Sequence, residues 1–194
     1  VVPVFVLPVA DLQTSGDDGH GSFFEILRDE ICRIAPCNAI DKIGEDIIRS
    51  FGCIPNFKNY NGFPAAVCVS VNEEVVHGIP NKHRILQEGD IVSLDAGLIY
   101  KGYHSDAART HAVGEISKTA AELIKVTEEC FFKGIEGLKA GTPLFDIGYR
   151  VQKHAESFGY GVIRSYTGHA IGKEMHEDPS VPNFGKLGTG MRLK

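Results

Sequence analysis

No run of this 194-residue sequence approaches the roughly 18 consecutive apolar residues that a membrane-crossing helix needs. The most apolar start, residues 1–10, is broken by Pro3 and Pro8 and has no basic flank before it, which makes it a poor secretory signal. A basic excess is missing as well. Lys and Arg total 20 against 25 Asp and Glu, a net charge of −5. A nucleic-acid-binding domain normally carries the opposite balance, so specific nucleic-acid binding is not expected. The five cysteines (Cys32, Cys37, Cys53, Cys68 and Cys130) include no C-x-x-C pair, and their number is odd. That argues against a disulfide framework or a zinc–thiolate site and predicts reduced thiols in a cytoplasmic chain. There is no internal repeat and no low-complexity block. No G-x-S-x-G, P-loop or G-x-G-x-x-G motif occurs, so serine-hydrolase and nucleotide-binding readings lack support.

What is present points to a folded domain. Apolar residues make up 43% of the chain, enough for a core. Residues 15–22 read as a loop, because their glycines and paired aspartates oppose helix and strand. Phe23, Leu27, Ile31 and Ile34 recur at helical spacing. A second helix follows Asn38, with Ile40, Ile43, Ile47 and Phe51 on one side and Gly52 at its end. Residues 66–71 and 90–100 read as strands, and residues 103–112 as a third, joined through Lys101-Gly102. A helix pattern returns near Lys118. Thr142-Pro143 is predicted to cap another, carrying Phe145, Ile147, Val151, Ala155 and Phe158. Residues 162–166 are predicted as a strand. Helices, strands, helices, then strand and loop is an α+β order.

The first anomaly is Asp95, inside the otherwise apolar strand IVSLDAGLI. Burying a lone carboxylate is costly, so Asp95 needs a partner, a proton or a metal. If the chain turns at Lys101-Gly102, position i faces position 203 − i. Asp106 then faces Gly97, and Asp95 is its diagonal neighbour on the same side, roughly 7–8 Å away. Two like charges there repel unless a cation or a proton sits between them, and hard divalent ions suit carboxylate oxygens. The bland reading is an edge-strand ending; the apolar setting of Asp95 weighs against it. His104 shares the same face and is a rival ligand on this geometry.

A second feature is TGHAIG with MHEDP after it, in which His169 and His176 are candidates for metal ligation or proton transfer. Their spacing of seven is not that of H-E-x-x-H, and a lone histidine is more often a satisfied polar group. A third is YNGFP, then Cys68, then VVHGIP, where aromatic residues beside Gly and Pro can line a pocket or simply form core and turn. Cys68 in an apolar strand reads as packing.

Taken together, YNGFPAAVCVSVNEEVVHGIP, LDAGLIYKGYHSDAART and GHAIGKEMHEDPSVPNFG resemble the type I methionine aminopeptidases. The resemblance divides the chain into a poorly matched segment, 1–22, and a partial catalytic domain, 23–194. It implies the pita-bread fold with its second half incomplete, and removal of the initiator methionine from nascent polypeptides, at the ribosome and in the cytoplasm. It implies a dinuclear site of two divalent ions (cobalt, manganese, ferrous iron, zinc or nickel) with Asp95, Asp106 and His169 as ligands. His77 and His176 match the histidines that contact substrate and stabilise the tetrahedral intermediate. Tyr60, Phe63, Cys68 and Met175 match positions lining the methionine pocket. His104 is not a ligand in the family. Two further glutamate ligands fall beyond residue 194, so weak metal binding and poor activity are expected of these residues alone. The alternatives are an Xaa-Pro peptidase of the same fold and a non-catalytic remnant that binds peptides or ribosomal partners. The short separation of Asp106 and His169 leaves no room for the type II insertion.

Overall fold

The computed structural model describes residues 23–31 and 36–194. The segment 1–22, Cys32 and Ile34 lie outside them. The described residues form two units. One runs up to Ser117 and includes Ile171–Met175; the other comprises Lys118–Ala170 and His176–Lys194.

The first unit contains α1 (Phe23–Ile31), α2 (Cys37–Ser50), β1 (Ile54–Pro55), a 3-10 turn (Tyr60–Gly62), β2 (Val67–Val71), β3 (Ile91–Tyr100) and β4 (Tyr103–Ala112). β3 organises the sheet. β4 pairs antiparallel along one edge of it, and β1 and β2 share the other. Side chains alternate between the faces of a strand. On β3 the even positions, Val92, Leu94, Ala96 and Leu98, are buried in the main core with Val67, Val69 and Val71 of β2. Leu27 of α1 and Cys37, Ile40 and Ile48 of α2 cover that face. The α2 helix lies close on β2: a Cβ on Gly44 would stand 2.5 Å from Val67 Cγ2. Asp41 of α2 anchors the start of β2, its Oδ1 accepting from the N–H groups of Ala66 at 2.8 Å and Val67 at 3.0 Å.

The hairpin between β3 and β4 has the register expected from sequence. Gly97 pairs with Asp106 and Asp95 with Ala108. Lys101 and Gly102 both have positive φ, 51° and 81°. That combination makes the type I′ turn whose twist suits two-residue hairpins.

The second unit holds α3 (Lys118–Ile135), α4 (Phe145–Ser157), β5 (Gly168–Ala170) and β6 (Glu177–Val181). Val126 and Cys130 of α3 pack on Val151 and Ala155 of α4. Two sequence expectations fail here. Thr142 does not cap α4: its Oγ1 accepts from Lys139 N–H instead. The entering amides are satisfied by the returning chain, Leu144 N–H donating to Met191 O at 2.7 Å and Phe145 N–H to Thr189 O at 3.2 Å. A cap is dispensable when backbone carbonyls already take the orphan donors of a first turn. Nor do residues 162–166 form a strand. A strand needs a ladder, and none of the described strands pairs with them; Val162 packs on the helical cluster instead. Among the described residues, no helix is long and apolar enough to cross a membrane. Cys37, Cys53, Cys68 and Cys130 are buried free thiols.

His111 of β4 pairs with Val92, and its Nε2 is buried without a hydrogen-bond partner among the described residues. Burial, followed by the positive charges of Arg28 and Arg109, holds its pKa down at about 4. The unfolded chain therefore takes up this proton first as pH falls. The predicted consequence is no effect above about pH 6.5, then a loss of stability on the order of 2–3 kcal/mol as pH falls towards 4. Urea unfolding across that range reads it. His111→Phe should remove this part of the pH dependence; an unchanged profile in that variant would assign the loss elsewhere.

Candidate active site

While the even positions of β3 build the core, its odd positions face the other way. That face carries Asp95 and Gly97, with Asp106 and His104 from β4. Cys68 and Ser70 of β2 stand beside them, Cys68 opposite Asp95 in register. Asp106 is buried. Burial, then the charge of Asp106 and a hydrogen bond between the two carboxyls, pushes the Asp95 pKa far above the usual carboxylate range. Two carboxylates so placed cannot both ionise unaided, so they share a proton or a cation. Asp95 therefore has the partner that its apolar strand demanded. Such a donor set fits a hard divalent ion.

Sequence reasoning missed the residue that packs this face. Asn56 follows β1, and its N–H donates to Gly97 O at 3.2 Å. Its side-chain amide occupies the space over Gly97, where a Cβ would stand 2.1 Å from Asn56 Oδ1. Its Nδ2 donates to His104 Nδ1 and to Ser105 O, both at 3.3 Å. Asn56 Oδ1 is buried and has no partner among the described residues. Gly97, read in isolation as a small residue beside Asp95, was the available signal.

Cys68, Met175 and Phe57 are buried together, with Phe63 packed against them. Three of the four expected pocket positions thus form one apolar cluster. Phe57 is the member that sequence reasoning left out. Tyr60 is more exposed and joins through its turn, its N–H donating to Phe57 O at 2.9 Å. Burial and the carboxylates of Asp95, Asp106 and Asp41 push the Cys68 thiol pKa up. It stays protonated, which excludes a thiolate nucleophile at neutral pH.

His77 is exposed in the segment between β2 and β3, with φ at +56°. Left-handed backbone at a non-glycine residue is strained, and the neighbouring contacts hold it there. Gly78 N–H donates to Ser70 Oγ at 3.0 Å, and Val69 N–H to Gly78 O at 2.9 Å.

In the other unit, His169 lies on β5 and His176 stands just before β6. Their ring centroids are 4.2 Å apart. β5 and β6 pair with a register shift after His169, leaving Asp178 and Pro179 unpaired. Bulges of this kind re-aim side chains. His169 Nδ1 lies 3.0 Å from Ala170 O. A carbonyl only accepts, so Nδ1 carries the proton and Nε2 the lone pair, the tautomer of a metal-ligating imidazole. The structure thus brings Asp95 to Asp106 and, separately, His169 to His176. Within either unit no described group of three or more His, Cys, Asp or Glu gathers as a metal cage.

Comparison with known proteins now decides the family. Residues 18–194 match metallopeptidase family M24. The chain belongs to that family. It is 60% identical over 154 residues to a methionine aminopeptidase of Clostridium acetobutylicum, covering 79% of this chain and 62% of that one. It also spans about that share, 62%, of the Bacillus subtilis methionine aminopeptidase 1. The solved methionine aminopeptidase of Rickettsia prowazekii superposes with a TM-score of 0.83 at 39% identity, over 89% of this chain and 69% of that one. The M24 chain is thus α+β with the pita-bread fold, and the family uses divalent metal.

The carboxylate pair yields a test. Converting Asp95 to its amide removes the cost of keeping a carboxyl protonated beside Asp106 in the metal-free fold. Asp95→Asn is expected to raise the stability of the chelator-treated chain by about 1–2 kcal/mol, read by thermal unfolding. Lower stability than the parent would mean that the pair is an ordinary structural hydrogen bond.

Proposed function

We propose that this chain is the greater part of a methionine aminopeptidase that removes the initiator methionine from nascent polypeptides by metal-dependent hydrolysis. The observation that carries the reading is that Cys68, which belongs to the apolar cluster with Phe63 and Met175, stands opposite Asp95 of the Asp95–Asp106 pair in register. An acid pair for a cation and a sulfur-containing, aromatic apolar cluster to receive an unbranched apolar side chain are what the cleavage of an N-terminal methionine needs.

Asp95, Asp106 and His169 would hold divalent metal, two ions in our reading, drawn from cobalt, manganese, ferrous iron, zinc or nickel. Bound there, the metal supplies an activated water and polarises the scissile carbonyl. The remaining work belongs to the chain. Phe57, Phe63, Cys68 and Met175 exclude water around the methionine side chain, and Tyr60 borders them. The protonated Cys68 thiol presents no charge to that side chain. His77 and His176 donate hydrogen bonds where negative charge grows on the carbonyl oxygen, a contribution made in the transition state rather than on binding. The strained backbone of His77 supports this role, since strain of that kind concentrates at working residues. Substrates would be nascent chain N-termini met at the ribosome in the cytoplasm.

The deciding experiment is hydrolysis of Met-Ala-type and Xaa-Pro-type peptides with cobalt or manganese supplied. Cleavage of the first and not the second is expected. Cleavage of Xaa-Pro bonds alone would favour the other peptidase class of the fold. Peptide binding without turnover in the full-length protein would favour a non-catalytic role. In the active full-length protein, His176→Ala should lower kcat by about 100-fold with KM little changed. A rise in KM at constant kcat would move His176 from transition-state stabilisation to substrate binding.

A further inference from the structure

His104 stands on the carboxylate face and is a histidine of the kind that binds metal, so the choice of which ring nitrogen offers its lone pair there needs a cause. The hydrogen bonds of Asn56 supply one. Ser105 O is a carbonyl and only accepts, so the Asn56 amide atom 3.3 Å from it is the NH2 group. That same NH2 stands 3.3 Å from His104 Nδ1. Nδ1 must therefore offer its lone pair, and a neutral ring then carries its proton on Nε2. Turning the amide over would give Oδ1 a donor only by setting it against Ser105 O. The amide instead leaves Oδ1 unpartnered in the interior. Its place is fixed by Asn56 N–H on Gly97 O and by the absence of a side chain at Gly97.

We propose that Asn56 is a positioning residue that locks His104 as the Nε2–H tautomer, so that His104 presents a donor rather than a lone pair to the face carrying Asp95 and Asp106. One nitrogen of His104 is then engaged by Asn56 and the other is protonated. Neither can join a cation held by the two carboxylates. His169 has the reverse arrangement, with Nδ1 protonated against Ala170 O and the lone pair on Nε2. Two backbone carbonyls, that of Ser105 through Asn56 and that of Ala170 directly, thereby sort two histidines into a donor and a ligand. The inference rests on the proposed function only for the nature of the bound cation; the tautomer itself does not depend on it.

The test is long-range 1H–15N correlation of the histidine rings in the 15N-labelled chain, which reads tautomer and charge of each ring together. The expected result for His104 is the single pattern of an Nε2–H ring. Asn56→Ala should replace it with mixed or Nδ1–H signals while the His169 pattern persists. Asn56→Asp, which can only accept, should drive it to Nδ1–H. An Nδ1–H pattern in the unsubstituted chain overturns the inference even if every variant fails to fold. So does an unchanged His104 pattern in a folded Asn56→Ala. Zinc is then added to the unsubstituted chain. Loss of the His104 Nε2–H signal as zinc binds would show His104 ligating and would also overturn the inference. Failure of zinc to perturb any histidine in the full-length protein would count against the proposed metal-dependent methionine aminopeptidase function, while the metal-free ring pattern still decides for or against the lock.

Discussion

Two carboxylates are held against each other on a buried sheet face, and much of the first unit can be understood as the means of holding them. Asp95 and Asp106 repel when both are charged, and the burial of Asp106 and partial burial of Asp95 weaken the screening of that repulsion. What offsets it lies on the other face of the same strands, where Val92, Leu94, Ala96 and Leu98 alternate with the odd positions and are packed under α1 and α2. Burying several such side chains is favourable by roughly 1.5–3 kcal/mol each. β3 is therefore held in register by its even residues whatever its odd residues prefer, and a one-residue slip would exchange the two sets.

The same logic explains which parts of the molecule could be read from sequence. The hairpin was legible because its determinants are local. Lys101-Gly102 fixes the turn, the turn fixes the register, and the register places Asp95 diagonal to Asp106. α2, α3 and the long strands followed from apolar periodicity in the same way. The errors have a common source in long-range contacts. Thr142-Pro143 has the composition of a cap, but the amides it would serve are taken by carbonyls about fifty residues on. Residues 162–166 have strand composition, but composition does not provide a neighbour.

The site divides along the same line. The carboxylate pair and the histidines stand in recognisable local settings. Asn56 and Phe57 do not, because what they do depends on residues far along the chain. Asn56 acts on Gly97, His104 and Ser105; Phe57 packs with Cys68 and Met175. His104 shows the effect most clearly. On sheet geometry alone it is as good a ligand candidate as Asp106. The amide that contacts its ring is announced by no local pattern.

β2 shows why the apolar cluster and the acid pair are not independent parts. It is buried on both faces, with Val67, Val69 and Val71 in the main core and Cys68 in the smaller cluster with Met175. Cys68 is also the register partner of Asp95. A larger side chain at 68 would not only crowd the apolar cluster. It would press on the neighbouring strand at the residue whose carboxyl orientation matters most, since closely packed interiors transmit strain rather than absorb it. Only a small, uncharged side chain satisfies both neighbours, and a thiol held protonated by burial, with the nearby carboxylates adding to it, is such a group. The identity of residue 68 is therefore constrained jointly by the apolar cluster on one side and the carboxylate on the other.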